Sequence, residues 1–337
     1  MREYVILGTG PAGRAAALEI RGLDPKARVT LVTREFTPFY LRPALADYVA
    51  GSVGRTELVL SEAELLNDPG IEVRPGCRAY RLFPHESRVL LSEGTSLYFD
   101  ALLLATGSTP RAAGPGAGSR QPVATLSTLS DAVRLSRSAF SSDSLVLVAG
   151  EGHTGLETVR AFAKKGCRVT YLTSRTRFWN PRSGVARAEV IEKLRAEKIE
   201  VLFDETILDV LDLNGEACRV VTSSRQTIDA QLVCDARELA PAVEYLEGSG
   251  VVLDHGVVVD LELRTNFDNI FAAGDVAQVF DSEGNWHRVN FGWLSAARQG
   301  RVAGHNLVKG SGRAVEREEP FFSELYGTKL LERWGRG

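Results

Sequence analysis

Two glycine-rich segments have the composition and spacing of phosphate-binding loops. GTGPAG carries glycines at positions 8, 10 and 13, and GEGHTG carries them at 150, 152 and 155. In this GxGxxG pattern the first glycine permits a tight turn, the second lets the backbone approach a pyrophosphate, and the third lets a helix pack closely on a strand. The helix then points its positive end at the anion. Each segment is therefore a candidate dinucleotide site.

Each loop lies between a strand and a helix that would position it. EYVIL at 3–7 precedes the first loop and AAALEIRGL follows it, whereas SLVLV precedes the second loop and LETVRAFAKKG follows it. A second strand completes each unit, RVTLV at 28–32 and RVTYL at 168–172. One such loop is weak evidence, but two in the same context predict that the chain binds two nucleotides or descends from a protein that did.

The remainder of each unit also repeats. GIEV at 70–73 corresponds to KIEV at 198–201, and each begins a run of short predicted strands. FDALLLATG closes the first unit and IDAQLVCDA closes the second. We therefore predict an α/β protein with two Rossmann-like domains, each carrying a β meander.

The composition excludes several classes of protein. Lys and Arg number 40 against 43 Asp and Glu, for a net charge of -3, which disfavours a nucleic-acid-binding surface over the whole chain. No apolar run approaches the ~20 residues that span a bilayer. The cysteines are too far apart for a zinc site or a disulfide framework, and we expect a soluble, cytoplasmic protein without a metal. They are Cys77, Cys167, Cys218 and Cys234.

A third motif lies near the end of the chain, where RTNFDNIFAAGDV at 264–276 predicts a strand that ends in Gly274-Asp275. Together with the two glycine loops, ATG at 105–107 and SAARQGRVAGHNLVKG at 295–310, it resembles the FAD-dependent pyridine nucleotide-disulfide oxidoreductase family. These motifs follow that family's order over almost the whole chain. A plain dehydrogenase with two Rossmann domains explains neither ATG nor AAGD.

The resemblance implies a glutathione-reductase-type fold in which the second domain is inserted in the first. The FAD-binding domain would comprise residues 1–112 and 245–312, and the NAD(P)H-binding domain residues 113–244. Relatives usually continue into an interface domain of roughly a hundred residues, a common size for small domains. This chain has a short tail at 313–337 instead, which we expect to dock on its own body or on a partner.

The resemblance also assigns FAD contacts residue by residue. The pyrophosphate would lie at the first loop, the adenosine ribose at the end of the second strand, the adenine at the start of a meander strand, and the ribityl region at AGD. Thr33 stands where the family often has an acid, so Glu35 or Arg34 would substitute. The predicted residues are Gly8, Gly10, Pro11, Ala12, Gly13, Thr33, Arg34, Glu35, Arg42, Pro43, Ala79, Thr106, Gly107, Gly274 and Asp275.

The segment FTPFYLRPALADYVAG at 36–51 is similar to the YxRPxLS stretch of rubredoxin reductases, ferredoxin reductases and the flavin part of assimilatory nitrite reductases. There the Arg-Pro pair, here Arg42-Pro43, lies against the isoalloxazine. No cysteine precedes Cys77, which disfavours thiol chemistry beside the flavin. Asp47 stands where ferredoxin reductases commonly have lysine, and an ionised carboxylate near the flavin would lower its potential. The alternative is an aspartate on the helix surface.

The second loop matches the family's GxGxxGxE. Thr173, at the end of the second strand, lacks the acid that binds the 2′-hydroxyl of NAD, whereas Arg175 and Arg177 suit a 2′-phosphate, so NADPH is favoured over NADH. A solvated loop is the alternative. Relatives have a glycine in the turn that corresponds to LVCDARELAP at 232–241, but this chain has none there. A Cβ in place of that glycine would narrow the entrance for the nicotinamide. The predicted NAD(P)H-binding residues are Gly150, Gly152, His153, Thr154, Gly155, Glu157 and Arg175.

The resemblance implies an enzyme that takes hydride from NAD(P)H onto FAD and passes single electrons to a rubredoxin, ferredoxin or nitrite-reductase-like acceptor. The protein would supply orientation and tuning of the potential rather than acid–base chemistry. One alternative is an FAD-containing subunit of a larger complex whose second domain no longer binds NAD(P)H productively. Another is a binding module in which FAD is structural or a redox sensor.

Overall fold

The computed structural model describes residues 1–61, 63–110, 123–138, 140, 142–175, 187–213, 215–237, 239–281, 286–289 and 292–315. The chain divides into two compact units. The first comprises Met1–Phe39, Leu60–Thr109 and the described residues from Ala240 onward. The second comprises Tyr40–Val59 and the described residues of Pro110–Leu239. Arg177 and all of the predicted tail beyond Val315 lie outside the described residues.

A five-stranded parallel sheet forms the centre of the first unit, in the spatial order third, second, first, fourth, fifth along the chain. With strands numbered along the whole chain, they are β1 (Glu3–Leu7), β2 (Arg28–Val32), β3 (Ile71–Arg74), β7 (Ala101–Leu104) and β19 (Ile270–Ala272). All four residues of β7 are buried, as expected for a central strand covered on both faces.

Two long helices of the first unit, α1 (Pro11–Leu23) and α8 (Trp293–Lys309), pack backbone to backbone. A Cβ on Gly300 would lie 2.1 Å from the carbonyl oxygen of Ala12, and one on Gly304 would lie 2.8 Å from that of Ala16. The helices can approach this closely only because both positions are glycine. A short helix, α4 (Ala63–Leu66), precedes β3.

Two smaller sheets complete the first unit. One is an antiparallel meander of β4 (Ala79–Phe83), β5 (Arg88–Leu91) and β6 (Ser96–Tyr98). In the other, β18 (Val257–Val259) runs parallel to β20 (Ala277–Asp281), which pairs antiparallel with β21 (Trp286–Val289). A separate two-stranded sheet consists of β8 (Ser108–Pro110) and β17 (Leu239–Pro241).

The second unit repeats the parallel sheet. Its strands in spatial order are β12 (Glu200–Phe203), β11 (Arg168–Thr173), β10 (Leu145–Gly150), β16 (Leu232–Ala236) and β9 (Val123–Ala124). Its longer helices are α5 (Leu129–Arg137), α6 (Gly152–Lys164) and α7 (Arg187–Ala196). Its antiparallel meander consists of β13 (Ile207–Leu213), β14 (Ala217–Thr222) and β15 (Thr227–Ala230).

These observations confirm the predicted fold class, with two Rossmann-like units that each carry a meander. Four strands of each sheet have the same spatial order, with the third strand along the chain beside the second, the second beside the first, and the first beside the fourth. The two sheets differ in which part of the chain supplies the fifth strand. The fifth strand, β19, lies far along the chain in the first unit, whereas β9 precedes the other four strands in the second unit.

The units divide differently from the predicted domains at residues 40–59. This segment contains α2 (Leu45–Val49) and α3 (Arg55–Leu58), and it belongs to the second unit. The physical reason is apolar packing, because Leu45 and Leu58 are buried in the same core as Phe162 of α6. The backbone N–H of Leu41 donates to the carbonyl of Leu58, which closes the segment into a loop.

Replacement of Gly300 by alanine tests the contact between α1 and α8. The new Cβ would meet the Ala12 carbonyl, so we expect the variant to lose about 1–3 kcal/mol of stability, a usual cost of overpacking. Gly22→Ala in α1 is the matched control, because a Cβ there meets nothing within 4 Å and alanine favours a helix. Urea denaturation midpoints measure both, and equal stability of the two variants would contradict the backbone contact.

Candidate nucleotide-binding sites

In the first unit, close backbone contacts determine the shape of the loop between β1 and α1. Gly8 has a φ of +119°, and a Cβ there would lie 2.1 Å from the carbonyl oxygen of Ala105. A Cβ on Gly13 would lie 1.9 Å from the carbonyl oxygen of Gly8. A larger residue at Gly13 would push the helix away from the loop, and one at Gly8 would clash with the backbone after β7, so the outer glycines of GTGPAG serve packing.

Gly10, the central glycine, serves a different purpose. Its backbone is extended, with a φ of −66° and a ψ of −175°, and a Cβ there would meet nothing within 4 Å. It is the N-cap of α1, and no side chain caps this helix, whose first residue is Pro11. The first-turn N–H groups, including those of Ala12 and Gly13, therefore receive no side-chain cap at the positive end of a 13-residue helix. An anion with little steric bulk fits this arrangement.

The AGD motif lies beside this helix end. Gly274 has a φ of +78°, and a Cβ there would lie 3.2 Å from the Cβ of Ala12. The carboxylate of Asp275 accepts hydrogen bonds from the Ser108 hydroxyl at 2.9 Å and from the Gly292 backbone at 3.3 Å. Asp275 is thus held in one orientation near the start of α1.

Two hydrogen bonds fix the ATG turn. The Thr106 hydroxyl donates to the carbonyl of Ala242 at 2.8 Å, and the N–H of Ala242 donates to the carbonyl of Gly107 at 3.0 Å. The hydroxyl of Tyr245 lies 3.4 Å from that of Thr106, and burial raises the pKa of Tyr245, which keeps this phenol neutral. These contacts give the side chain of Thr106 a structural role.

The predicted ribose contacts lie at the carboxyl end of β2. The Thr33 hydroxyl accepts a hydrogen bond from the N–H of Glu35 at 3.3 Å, and the Glu35 carboxylate accepts one from the Thr37 hydroxyl at 3.2 Å. Arg34 is exposed, and Ala79 opens β4 at its pairing with Leu91. Thr33 supplies no acid at the carboxyl end of β2, but Glu35 places a carboxylate close to this strand end.

The loop between β10 and α6 repeats the design of the first loop. A Cβ on Gly150 would lie 2.7 Å from the carbonyl oxygen of Ala236, and one on Gly155 would lie 2.5 Å from the Tyr171 hydroxyl. Gly152, with a φ of +60°, has nothing within 4 Å of its missing Cβ, and no side chain caps α6. The carbonyl of Thr154 accepts a hydrogen bond from the Thr158 hydroxyl, and the side chain of His153 lies outside the described residues.

An ion pair occupies the carboxyl end of β16, beside this loop. Asp235 is 8% exposed and accepts hydrogen bonds from Arg237 at 2.9 Å (Nε), 2.7 Å (Nη2) and 3.0 Å (backbone N–H). The bond to Asp235 raises the pKa of Arg237. Gly150 pairs with Ala236 across the sheet, and a Cβ on Gly150 would lie 3.0 Å from the methyl of Ala236. The narrowed nicotinamide entrance stays a prediction.

Three charged side chains form a buried cluster in the second unit. Arg160 of α6 donates to Asp47 of α2, and its Nη2 donates to Glu157 at 2.8 Å. The exposed fractions are 3% for Arg160, 5% for Glu157 and 8% for Asp47. Burial by itself lowers the pKa of Arg160, but the two carboxylates raise it above its ordinary value, so the guanidinium stays charged.

This cluster changes the interpretation of two predicted residues. The alternative of an Asp47 on the helix surface is wrong, because its carboxylate is buried and paired with Arg160, whereas its place near the isoalloxazine stays a prediction. Glu157, the glutamate of GxGxxGxE, uses its carboxylate in the same cluster. Arg42 and Pro43 form a 3-10 helix just before α2, where Arg42 donates to the carbonyl of Ser127.

Arg175 also has a partner. Its guanidinium and its backbone N–H both bond to the carboxylate of Asp204, which follows β12. Both side chains are more than half exposed. The sequence pattern identified Arg175 but not Asp204.

The cysteines take no part in the sites described. Cys167, Cys218 and Cys234 are buried, Cys77 is partly buried, and none of these four described residues forms a disulfide. Burial raises the pKa of the Cys234 thiol to about 12, so it stays protonated and unreactive.

Among the described residues, no cluster of His, Cys, Asp or Glu could hold a metal, and no helix is long and apolar enough to span a membrane.

Comparisons with known proteins agree with the resemblance seen in the motifs. Residues 2–300 match the family described as Pyridine nucleotide-disulphide oxidoreductase. The chain is 32% identical to rhodocoxin reductase of Rhodococcus erythropolis over 278 residues, which is 82% of this chain and 65% of that protein. It is 28% identical over 306 residues to the anthranilate 1,2-dioxygenase system ferredoxin--NAD(+) reductase component of Burkholderia cepacia. These residues make up 90% of this chain and 75% of that protein.

A solved structure shares the fold. The chain superposes on a chain of the covalent putidaredoxin reductase–putidaredoxin complex with a TM-score of 0.80 at 24% identity, covering 94% of this chain and 77% of that chain. The chain thus spans slightly less than two thirds of rhodocoxin reductase and about three quarters of the other two proteins. The predicted family is confirmed by these matches.

Replacement of Arg160 by methionine tests the buried cluster. The variant keeps most of the side-chain volume but leaves two buried carboxylates without their shared cation, so we expect a loss of about 3–5 kcal/mol. Adding Asp47→Asn to Arg160→Met should recover part of this loss, because one buried charge is then removed. Denaturation midpoints measure both variants.

The matched control is Arg219→Met, which breaks the exposed pair with Asp229 in the meander. Solvent screens such pairs, so the midpoint should stay near that of the wild type. If Arg160→Met is no less stable than this control, the cluster does not stabilise the second unit.

Proposed function

The chain belongs to the pyridine nucleotide-disulphide oxidoreductase family, and on that premise we propose that it is an FAD-dependent NAD(P)H oxidoreductase that supplies electrons to a small redox protein. One observation carries the proposal. Each unit presents an uncapped helix of 13 residues at the carboxyl edge of a parallel sheet, next to a glycine whose missing Cβ faces open space. Two pyrophosphate sites of this kind suit two dinucleotides, FAD in the first unit and the nicotinamide coenzyme in the second.

The residues of the first unit fit FAD. The N–H groups at the start of α1 would hold the pyrophosphate above Gly10, and Asp275 would accept hydrogen bonds from ribityl or ribose hydroxyls. Glu35 would serve the adenosine ribose in place of an acid at Thr33, and Ala79 would meet the adenine. The turn of Thr106 and Gly107 is already held by Ala242, so it would present its backbone in a preorganised form.

FAD, when bound, accepts hydride from a reduced nicotinamide and releases electrons one at a time. The contribution of this chain is to hold both coenzymes and keep them oriented. In the second unit, Gly152 and the start of α6 would bind the coenzyme pyrophosphate. The cluster around Arg160 would hold α2, and with it the preceding Arg42-Pro43 turn, against α6 within the second unit.

The proposed acceptor is a small iron–sulfur or rubredoxin-type protein. The names of the relatives support this choice, since one is a reductase of rhodocoxin and the other a ferredoxin--NAD(+) reductase component. We assign the reaction to the cytoplasm, because four cysteines outside disulfides suit a reducing compartment.

A second candidate function rests on the carboxyl end of β16. The Asp235–Arg237 pair and the methyl of Ala236 lie next to Gly150, at the strand end where a nicotinamide would enter. If they exclude the nicotinamide, the chain would be an FAD-containing subunit that receives electrons from another subunit. Failure of both NADH and NADPH to reduce the bound flavin would favour this candidate.

A coupled assay tests the proposed function. The FAD-loaded protein is mixed with NADH or NADPH and, separately, with a [2Fe–2S] ferredoxin or a rubredoxin, and reduction of the acceptor is followed by absorbance. We expect reduction that requires the protein, FAD and one of the coenzymes. Coenzyme oxidation that never reaches either acceptor would contradict a role in supplying redox proteins.

Gly10→Val separates binding of FAD from folding. The Cβ of the valine would have no protein atom within 4 Å and the backbone of Gly10 is already extended, so the denaturation midpoint should stay close to that of the wild type. The side chain would, however, occupy the space of the pyrophosphate and weaken FAD binding about tenfold or more. Fluorescence titration of the apoprotein with FAD measures the affinity. Wild-type affinity in this variant would place the pyrophosphate elsewhere.

A further inference from the structure

The carboxyl end of β11 is where a doubly wound domain binds the adenosine ribose of its dinucleotide. This strand ends at Thr173, which is 2% exposed and supplies no acid. The site that would distinguish a 2′-hydroxyl from a 2′-phosphate must therefore be built by other residues around the same strand end.

Asp204 provides a carboxylate at this position from the neighbouring strand. It follows β12, which runs parallel to β11 with Phe203 opposite Thr173. Its N–H donates to the carbonyl of Thr173 at 2.7 Å, and its φ of +61° is a left-handed conformation that aspartate and asparagine adopt more readily than most residues. The backbone of Asp204 is thus bonded to the last residue of β11.

The side chain of Asp204 points back to the segment that follows β11. Oδ1 accepts from the backbone N–H of Arg175 at 2.8 Å, and Oδ2 accepts from its Nε at 3.2 Å. The guanidinium of Arg175 also lies over the ring of Phe203, with 4.9 Å between Cζ and the ring centroid. The side chains of Arg175 and Asp204 are 65% and 57% exposed, so a ligand can reach both.

The charges of this pair favour a neutral ribose. A carboxylate has about four acceptor positions, so Asp204 can accept a ribose hydroxyl while it holds Arg175. A 2′-phosphate carries a charge of about −1.5 to −2, so it would be repelled by Asp204. It would also have to draw Arg175 away from a partner that already neutralises it.

We propose that Asp204 determines coenzyme choice, by accepting the 2′-hydroxyl of the adenosine ribose and disfavouring a 2′-phosphate, so that the second unit selects NADH. This inference rests on the proposed function. It differs from the preference for NADPH predicted from Arg175 and Arg177, because it assigns Arg175 to Asp204 rather than to a phosphate.

Binding of NAD⁺ and NADP⁺ to the FAD-loaded protein, measured by isothermal titration calorimetry, tests the proposal without relying on turnover. The wild type should bind NAD⁺ at least about tenfold more tightly than NADP⁺. Asp204→Asn keeps the size and the left-handed backbone but removes the charge, so this ratio should fall about tenfold. The matched control is Asp229→Asn, which removes a charge from an exposed pair of the same unit and should leave the ratio unchanged.

Two results would overturn this inference and leave the proposed function intact. One is a wild type that binds NADP⁺ more tightly than NAD⁺, and the other is an Asp204→Asn variant with the wild-type ratio of NAD⁺ to NADP⁺ affinity. Failure of both coenzymes to bind would overturn the proposed function and this inference together. A variant that selects NADP⁺ would support the assignment of Asp204 and show that Arg175 becomes available once the carboxylate charge is gone.

Discussion

The close approach of a helix to a strand at a glycine determines the geometry of both units. In the first unit, Gly13 of α1 touches the carbonyl of Gly8, and in the second, Gly155 of α6 lies against Gly150. A residue with a Cβ at either helix position would move the helix away from its sheet. Each of these helices follows a strand of its parallel sheet and begins at the carboxyl edge of that sheet. The uncapped first turns therefore lie at the edge where we propose that the dinucleotides bind.

A second constraint is electrostatic and joins residues that are distant in the sequence. Arg160 of α6 binds Asp47 of α2 and Glu157 of its own helix, and all three residues are buried. A buried guanidinium requires carboxylate partners, since without any it would be a buried charge that no neighbouring group neutralises. The Arg42-Pro43 turn therefore lies in the same compact unit as the helix that we propose binds the nicotinamide coenzyme.

Much of this arrangement could be predicted because the signals are local. The glycine loops, the repeated strand–helix–strand order and the meanders depend on residues close together in the sequence, and all are present in the structure. Contacts between distant residues leave no spacing rule. The sequence therefore did not reveal that Asp47 pairs with Arg160, that residues 40–59 pack with the second unit, or that Asp204 holds Arg175. Glu157 and Arg160 lie three residues apart on one helix, so only this part of the cluster had a readable signal.

We propose that one unit binds FAD and that the other delivers hydride from a nicotinamide coenzyme. An anaerobic titration of the FAD-loaded protein, first with NADH and then with NADPH, tests it most directly, with flavin absorbance as the readout. We predict loss of flavin absorbance at one equivalent of coenzyme per flavin, with NADH the more effective of the two. Bleaching by dithionite but by neither coenzyme would contradict the claim, since the second unit would then not serve as the entry point for electrons.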